Sequence, residues 1–163
     1  MKQVIIIRHA KSSWSDFSLS DFDRPLDTRG LHDAPMMAER LKNLGYLPQK
    51  LCSSNAARAK ETAQYFSKLN DLPIDLYPNL YHGSPEDYID VMSGLDESIS
   101  CAVFFGHNPG ITYVANLIKP GCTDNIPTCG IIIASYPKGT WAEANWKKMN
   151  LVELMYPNKD NRD

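Results

Sequence analysis

The sequence has no stretch near the roughly 20 consecutive apolar residues of a membrane span. Its first apolar run, Val4 to Ile7, stops after four residues. That excludes a spanning helix and is too short for the core of a signal peptide, although Lys2 precedes it. With no export signal to read, the expected location is the cytoplasm. There is no block of lysine or arginine: 17 basic residues face 19 acidic ones, for a net charge of -2. The electrostatic footprint of a nucleic-acid binder is therefore missing. Cysteines are few, and none of Cys52, Cys101, Cys122 and Cys129 forms a C-x-x-C pair. Zinc and redox motifs thus have no support. Cys52 and Cys101 fall in apparent strands and read as small buried hydrophobes. Cys122 and Cys129 flank a loop, where a reducing cytosol argues against a disulfide. Repeats, low-complexity segments and domain-splitting linkers are also lacking.

What is present is an ordinary globular composition, 43% hydrophobic and 22% charged over 163 residues,. That length suits one domain, expected over residues 1–156 with a loose polar tail over 157–163. Strand and helix signals alternate. Val4–Arg8, Lys50–Ser53, Ile74–Leu76, Cys101–Gly106 and Gly130–Tyr136 read as strands,. Trp146–Tyr156 reads as an antiparallel edge strand. Leu31, Ala34, Ala38, Leu41 and Leu44 recur at helical spacing, ended by Gly45. Pro35 inside this stripe predicts either a kink or a regular helix starting near Asp33. A second helix starts near Asn55, a third runs from Pro85 to about Leu95 with Ser84 as N-cap, and a fourth covers Gly110–Ile118. The pattern predicts an α/β three-layer sandwich: a mainly parallel central sheet, one antiparallel edge strand, and helices on both faces. Oligomeric state is not legible.

The residues that carry chemistry lie just past strands. Val4-Ile5-Ile6-Ile7 is followed at once by Arg8-His9. Such a run reads as a strand buried on both faces, and cationic groups at its end would be costly in a dry core. At the carboxyl edge of a parallel sheet they would stand in the crevice where ligands bind. Arginine is a forked anion clamp, and neutral histidine is a nucleophile or base. After the second strand, Arg58 falls in the first turn of a helix, the wrong end for a cation unless an anion sits between. Pairing with Glu61 or Glu39 is the plainer alternative. After the Cys101–Phe105 strand, Gly106-His107-Asn108-Pro109-Gly110 makes a tight turn that holds His107, with Asn108 free to cap the next helix. Each feature alone has an ordinary reading. Three at the same sheet edge suggest one anion site.

Arg8-His9, Ser53-Ser54 with Arg58-Ala59 and Thr62-Ala63, and Gly106-His107-Asn108 together resemble the histidine phosphatase superfamily, the group that includes phosphoglycerate mutase. Arg24-Pro25-Leu26 with Arg29-Gly30, and Leu80-Tyr81-His82 with Ser84-Pro85-Glu86, are similar to its SixA-like branch of small phosphohistidine phosphatases. The resemblance runs from about Met1 to Ile118. It implies a histidine phosphatase-like domain in which His9 takes the phosphoryl group on a ring nitrogen. Arg8, Arg58 and His107 would then clamp the phosphate oxygens. No metal and no cofactor are implied. Three cationic groups around His9 should lower its pKa and keep it nucleophilic.

Two departures stand out. Ala10 follows Arg-His where many members have glycine, which fits if the backbone there avoids positive φ. Larger relatives carry an acidic glutamate after a leucine, but this chain has Leu80-Tyr81-His82-Gly83. His82 is the candidate proton donor, with Glu86, Asp87 or Asp21 as others that could reach in. A missing strong acid suits an easy leaving group such as the imidazole of phosphohistidine, which is readily protonated near pH 6.5. Only 18 residues separate His82 from Cys101, leaving little for a lid,. The expected substrate is therefore a phosphorylated histidine-phosphotransfer protein or domain. The alternatives are a phosphatase of small phosphomonoesters and a phosphate-binding module without turnover. Trp14, Phe17 and Phe22 either line the mouth of the site or, as is commoner, pack their loop onto the core. Lys11 either attracts the anion or is an ordinary surface lysine.

Overall fold

The apolar run at the start of the chain becomes strand β1 (Lys2–Arg8), which lies inside a six-stranded sheet. The computed structural model describes residues 1–158. Of the tail expected over 157–163, residues 159–163 lie outside the described residues, and Pro157 is buried. The other strands are β2 (Lys50–Ser53), β3 (Ile74–Leu76), β4 (Cys101–Gly106), β5 (Ile131–Tyr136) and β6 (Asn150–Met155). They stand in the order β3-β2-β4-β1-β5-β6. β1 to β4 are mutually parallel, and β5 runs antiparallel to both β1 and β6. The mainly parallel sheet with an antiparallel edge is thus present, and two strands build that edge. The last strand starts later than expected, at Asn150. Residues Trp146–Lys148 form a 3-10 turn instead, which buries Trp146 and lets its Nε1 donate to the Pro85 carbonyl at 3.0 Å.

The alternation of side chains along each strand feeds two cores. Val4 and Ile6 of β1 pack with Phe104, Tyr88 and Trp141 on one face. Ile5 and Ile7 pack with Val103, Phe105, Met37 and Phe66 on the other. Helices α1 (Thr28–Asn43) and α2 (Ala57–Asn70) cover the second face, while α3 (Pro85–Ser93) and α4 (Gly110–Ile118) cover the first. β1 has strands on both edges and helices on both faces, so a side chain at any position from Val4 to Ile7 is fully buried. Each such aliphatic side chain contributes on the order of 1.5–3 kcal/mol. Cys52, Cys101 and Cys129 are buried free thiols, and Cys122 is half-buried and free.

Two helix starts differ from expectation. α1 begins at Thr28 rather than near Leu31 or Asp33, because the Asp27 side chain accepts the Gly30 N–H at 2.9 Å and caps the helix,. The helix then runs through Pro35, which costs it the hydrogen bond to the exposed Leu31 turn,. α2 begins at Ala57, two residues past Asn55. The α3 cap is as read: Ser84 precedes Pro85, and its N–H donates to Asp87 Oδ2 at 2.8 Å. Near the start of α1, Gly30 lies against the segment that follows His9. A Cβ added there would meet the Lys11 carbonyl oxygen at 2.2 Å.

Candidate active site

Strand register brings the chemistry together. β1 and β4 are parallel with Arg8 opposite Gly106, so the next residue on each strand is a histidine. The His9 N–H donates to the Gly106 carbonyl at 3.0 Å, and the two imidazole centroids lie 5.2 Å apart. β2 pairs with β4 so that Ser53 faces Phe105, which carries Ser54 up to His107. Arg8, His9, Arg58 and His107 all line one cleft of about 340 Å³ at this edge. The four residues picked from sequence are therefore brought to one place.

His9 is only 6% exposed, yet its ring forms part of the cleft wall. Its Nδ1 lies 2.7 Å from the Ala10 carbonyl. A carbonyl can only accept, so Nδ1 carries the proton and Nε2 presents its lone pair. Arg58 Nε donates to that Nε2 across 3.3 Å. Burial holds His9 well below the usual imidazole value; His107, Arg58 and Arg8 add to this, and the Ala10 hydrogen bond opposes it. Burial, more than the neighbouring cations, keeps His9 neutral. Ala10 fits where relatives have glycine, because its φ is not positive and its N–H donates to Thr62 Oγ1 at 2.9 Å.

His107 corrects one expectation. Its place among the phosphate clamps suggests a cation, but burial first and Arg58 second push its pKa down to about 3. It is a neutral donor. Its Nε2 lies 2.8 Å from Ser54 Oγ, which also accepts the Ala56 N–H at 3.2 Å. Nε2 is the acceptor open to the Ser54 hydroxyl, and with Ser54 O–H donating a hydrogen bond there the proton of neutral His107 stays on Nδ1,. That Nδ1 is buried and has no protein partner. Arg8 Nε is in the same position, while Arg8 Nη1 donates to the Ile126 carbonyl at 2.9 Å. Buried donors normally find an acceptor, and the oxygens of a phosphoryl group would supply one to each. Arg8 remains cationic at neutral pH, with burial and Arg58 lowering its pKa to about 10.

Arg58 pairs with neither Glu61 nor Glu39. It turns toward the site, where Asp21 takes its Nη2 at 3.0 Å. Glu61 instead accepts the Leu26 N–H at 3.1 Å. Asp21 also accepts Arg24 Nη2 at 3.0 Å and the Tyr81 hydroxyl at 2.7 Å. Burial works to raise the Asp21 pKa, but the Tyr81, Arg24 and Arg58 contacts outweigh it and hold the carboxyl far below the usual range. Of the other acids considered, Asp87 is used to cap α3, and Glu86 faces a different depression beside Ile89 and Trp146. His82 does line the cleft. It sits at the exposed rim with φ 58°, its ring 3.9 Å from that of Tyr81.

Asp21 and Arg24, named in the sequence as a candidate acid and as part of a family motif, line the cleft, as do Ser12 and Thr128, which no sequence signal marks. Arg24 is buried and donates to Ser12 Oγ at 2.7 Å. Its guanidinium lies 3.5 Å over the Trp14 ring. Trp14 and Phe17 are exposed rather than packed on the core, and Phe22 meets Tyr81 edge-on at 5.1 Å. Lys11 lines the cleft. Among the described residues no group of three or more His, Cys, Asp and Glu could hold a metal ion, and no helix is long and apolar enough to cross a membrane.

A neutral imidazole with its Nε2 lone pair toward the cleft, two fixed guanidiniums and the buried Nδ1–H of His107 form an arrangement that can bind a phosphoryl group and attack it. The comparisons agree. The profile of the histidine phosphatase superfamily, branch 1, matches residues 4–84. An uncharacterized chloroplastic protein of Arabidopsis thaliana is 31% identical over 169 residues, covering 93% of this chain and 77% of that protein. The structure of SixA from Agrobacterium tumefaciens superposes with TM-score 0.82 at 23% identity, covering 96% of this chain and 98% of that one. The protein histidine phosphatase SixA complexed with tungstate gives TM-score 0.79 at 23% identity, over 95% and 97%. The chain belongs to the histidine phosphatase superfamily, and its site is that of a phosphatase.

Proposed function

We propose that the protein removes a phosphoryl group from phosphohistidine on a partner protein, through a covalent phosphohistidine on His9. One observation carries this choice of substrate. Asp21 is the single carboxylate among the residues that line the cleft, and Tyr81, Arg24 and Arg58 hold it ionised. No carboxylic acid is at hand to protonate a departing alkoxide, which an ordinary ester would require. An imidazole leaving group needs far less help.

In the first step the His9 Nε2 lone pair attacks phosphorus, the P–N bond of the substrate breaks, and the released imidazole nitrogen gains a proton. His82 at the rim supplies that proton. Arg8 and Arg58 neutralise the equatorial oxygens, with His107 Nδ1–H as a further donor. In the second step water attacks the phosphorus on His9 and passes a proton back to His82, the P–Nε2 bond breaks, and inorganic phosphate leaves. The cleft is a site for positioning and charge, as phosphoryl transfer demands. The deep placement of His9 suits a side chain that projects from a protein surface.

The test is phosphate release from a chemically phosphorylated histidine-phosphotransfer domain, with sugar phosphates in parallel. Faster turnover of the sugar phosphates would replace this reading with a small-molecule phosphatase. Tight phosphate binding with no turnover of either would leave a binding module.

A further inference from the structure

The loop just after the nucleophile segment exposes what a globular protein usually hides. Within six residues, Trp14 is 61% exposed, Phe17 92% and Leu19 38%. Scattered exposed apolar residues are common, but a cluster beside a binding cleft marks a contact surface. This loop is held at its base. The Ser13 N–H donates to the Pro25 carbonyl at 2.8 Å, and Ser12 bridges Leu26. It is also held at its tip, where the N–H groups of Ser18 and Leu19 donate to Asp16 Oδ1 and the Asp16 carbonyl at 3.0 and 3.3 Å. The apolar side chains therefore stand on a preset turn, which lowers the entropy lost on contact.

Trp14 ties this surface to the chemistry. It is both part of the exposed loop and part of the cleft wall. Arg24 covers its ring at 3.5 Å and in turn binds Asp21, the residue that orients Arg58. We infer that the Ser13–Ser20 loop is the docking surface for the phosphoprotein substrate. Phe17 and Leu19 seat on an apolar patch of the partner while Trp14 meets the residues next to its phosphohistidine. This rests on the function proposed above. Charge selects among occupants: the loop carries Asp16 and no lysine or arginine, which disfavours an anionic lipid surface,. Its aromatic content is that of an interface core. Trp14 and Phe17 can each contribute on the order of 150–250 Å² to contact.

The experiment uses Phe17→Asp in the full chain, since Phe17 does not line the cleft. Two substrates are compared: a histidine-phosphotransfer domain phosphorylated with phosphoramidate, and free N-phosphohistidine. KM for the phosphorylated domain should rise by about tenfold or more, as when an interface anchor is lost. Turnover of free N-phosphohistidine should stay at the wild-type level, which also shows that the variant is folded. Phe17→Leu should restore most of the KM. Wild-type KM on the protein substrate in Phe17→Asp, or an equal loss on both substrates, overturns the docking surface. If wild-type protein releases no phosphate from either substrate, the function itself is overturned, and the docking surface with it.

Discussion

Asp21 grips Arg58 at two points. Its Oδ2 takes Nη2 at 3.0 Å, and its backbone carbonyl takes Nη1 at 2.6 Å. The third donor of the guanidinium, Nε, is left to face His9 Nε2. The carboxylate therefore aims a cation at the nucleophile and has no proton of its own to give.

That relationship separates two roles for Asp21. In Asp21→Asn the aim loosens, and kcat/KM should fall by about tenfold, the scale of a misplaced positioning group. The shape of the pH–rate profile should not change. Loss of its alkaline limb would instead make Asp21 the general acid.

His9→Ala should lower turnover by at least about a thousandfold, because no other side chain replaces a covalent nucleophile. His107→Gln should lower it by roughly a hundredfold, as for loss of one transition-state donor. A rapid acid-free quench with labelled substrate should place phosphate on the ring of His9 in the wild type. Full activity in His9→Ala would falsify the mechanism.

Stability should depend on pH through both site histidines. Each has a folded pKa below its unfolded value near 6.5, about 3 for His107 and well below the usual value for His9. The unfolded chain then binds protons that the folded one refuses. The stabilisation is present above pH 6.5 and is lost as pH falls below it, down to about 3 in the case of His107. Each histidine contributes up to about 1.4 kcal/mol per pH unit in that window, or roughly 3–6 °C in Tm for a chain of this size. Thermal melts between pH 7 and 5 should show the fall, and His107→Gln should make it shallower.

Vanadate should compete with substrate, since its oxygens can collect Arg8, Arg58 and the His107 Nδ1–H together. Turnover should survive excess EDTA, as nothing in the proposed steps calls for a metal ion. Inactivation by EDTA that added Mg²⁺ or Zn²⁺ reverses would overturn that.

How legible the site was depends on how each residue is placed. Arg8, His9 and His107 sit one step past strands, and strand ends can be read from an apolar run that stops. Arg58 could be found because its position at a helix start made poor electrostatic sense without a partner. Asp21, Arg24 and Trp14 come from an irregular stretch with a short 3-10 turn at Asp21–Asp23. No periodicity marks such a stretch, and its place is set by contacts with Arg58 and Tyr81 far along the chain. The charge state of His107 is not legible in the sequence for a related reason: burial decides it, and burial at 4% exposure is a tertiary property. The start of α1 is not legible in the apolar stripe, because the Asp27 cap lies a turn ahead of its first member, Leu31.

Gly30 offers a handle on the site from behind. The helix carrying it and the chain leaving His9 touch backbone to backbone, with no room for even a methyl group. Gly30→Ala should therefore push the Lys11 segment, and the ring two residues before it, out of line without altering any group that touches phosphate. Such a variant would be catalytically crippled yet chemically complete, a lesion that inspection of the cleft residues alone would never flag.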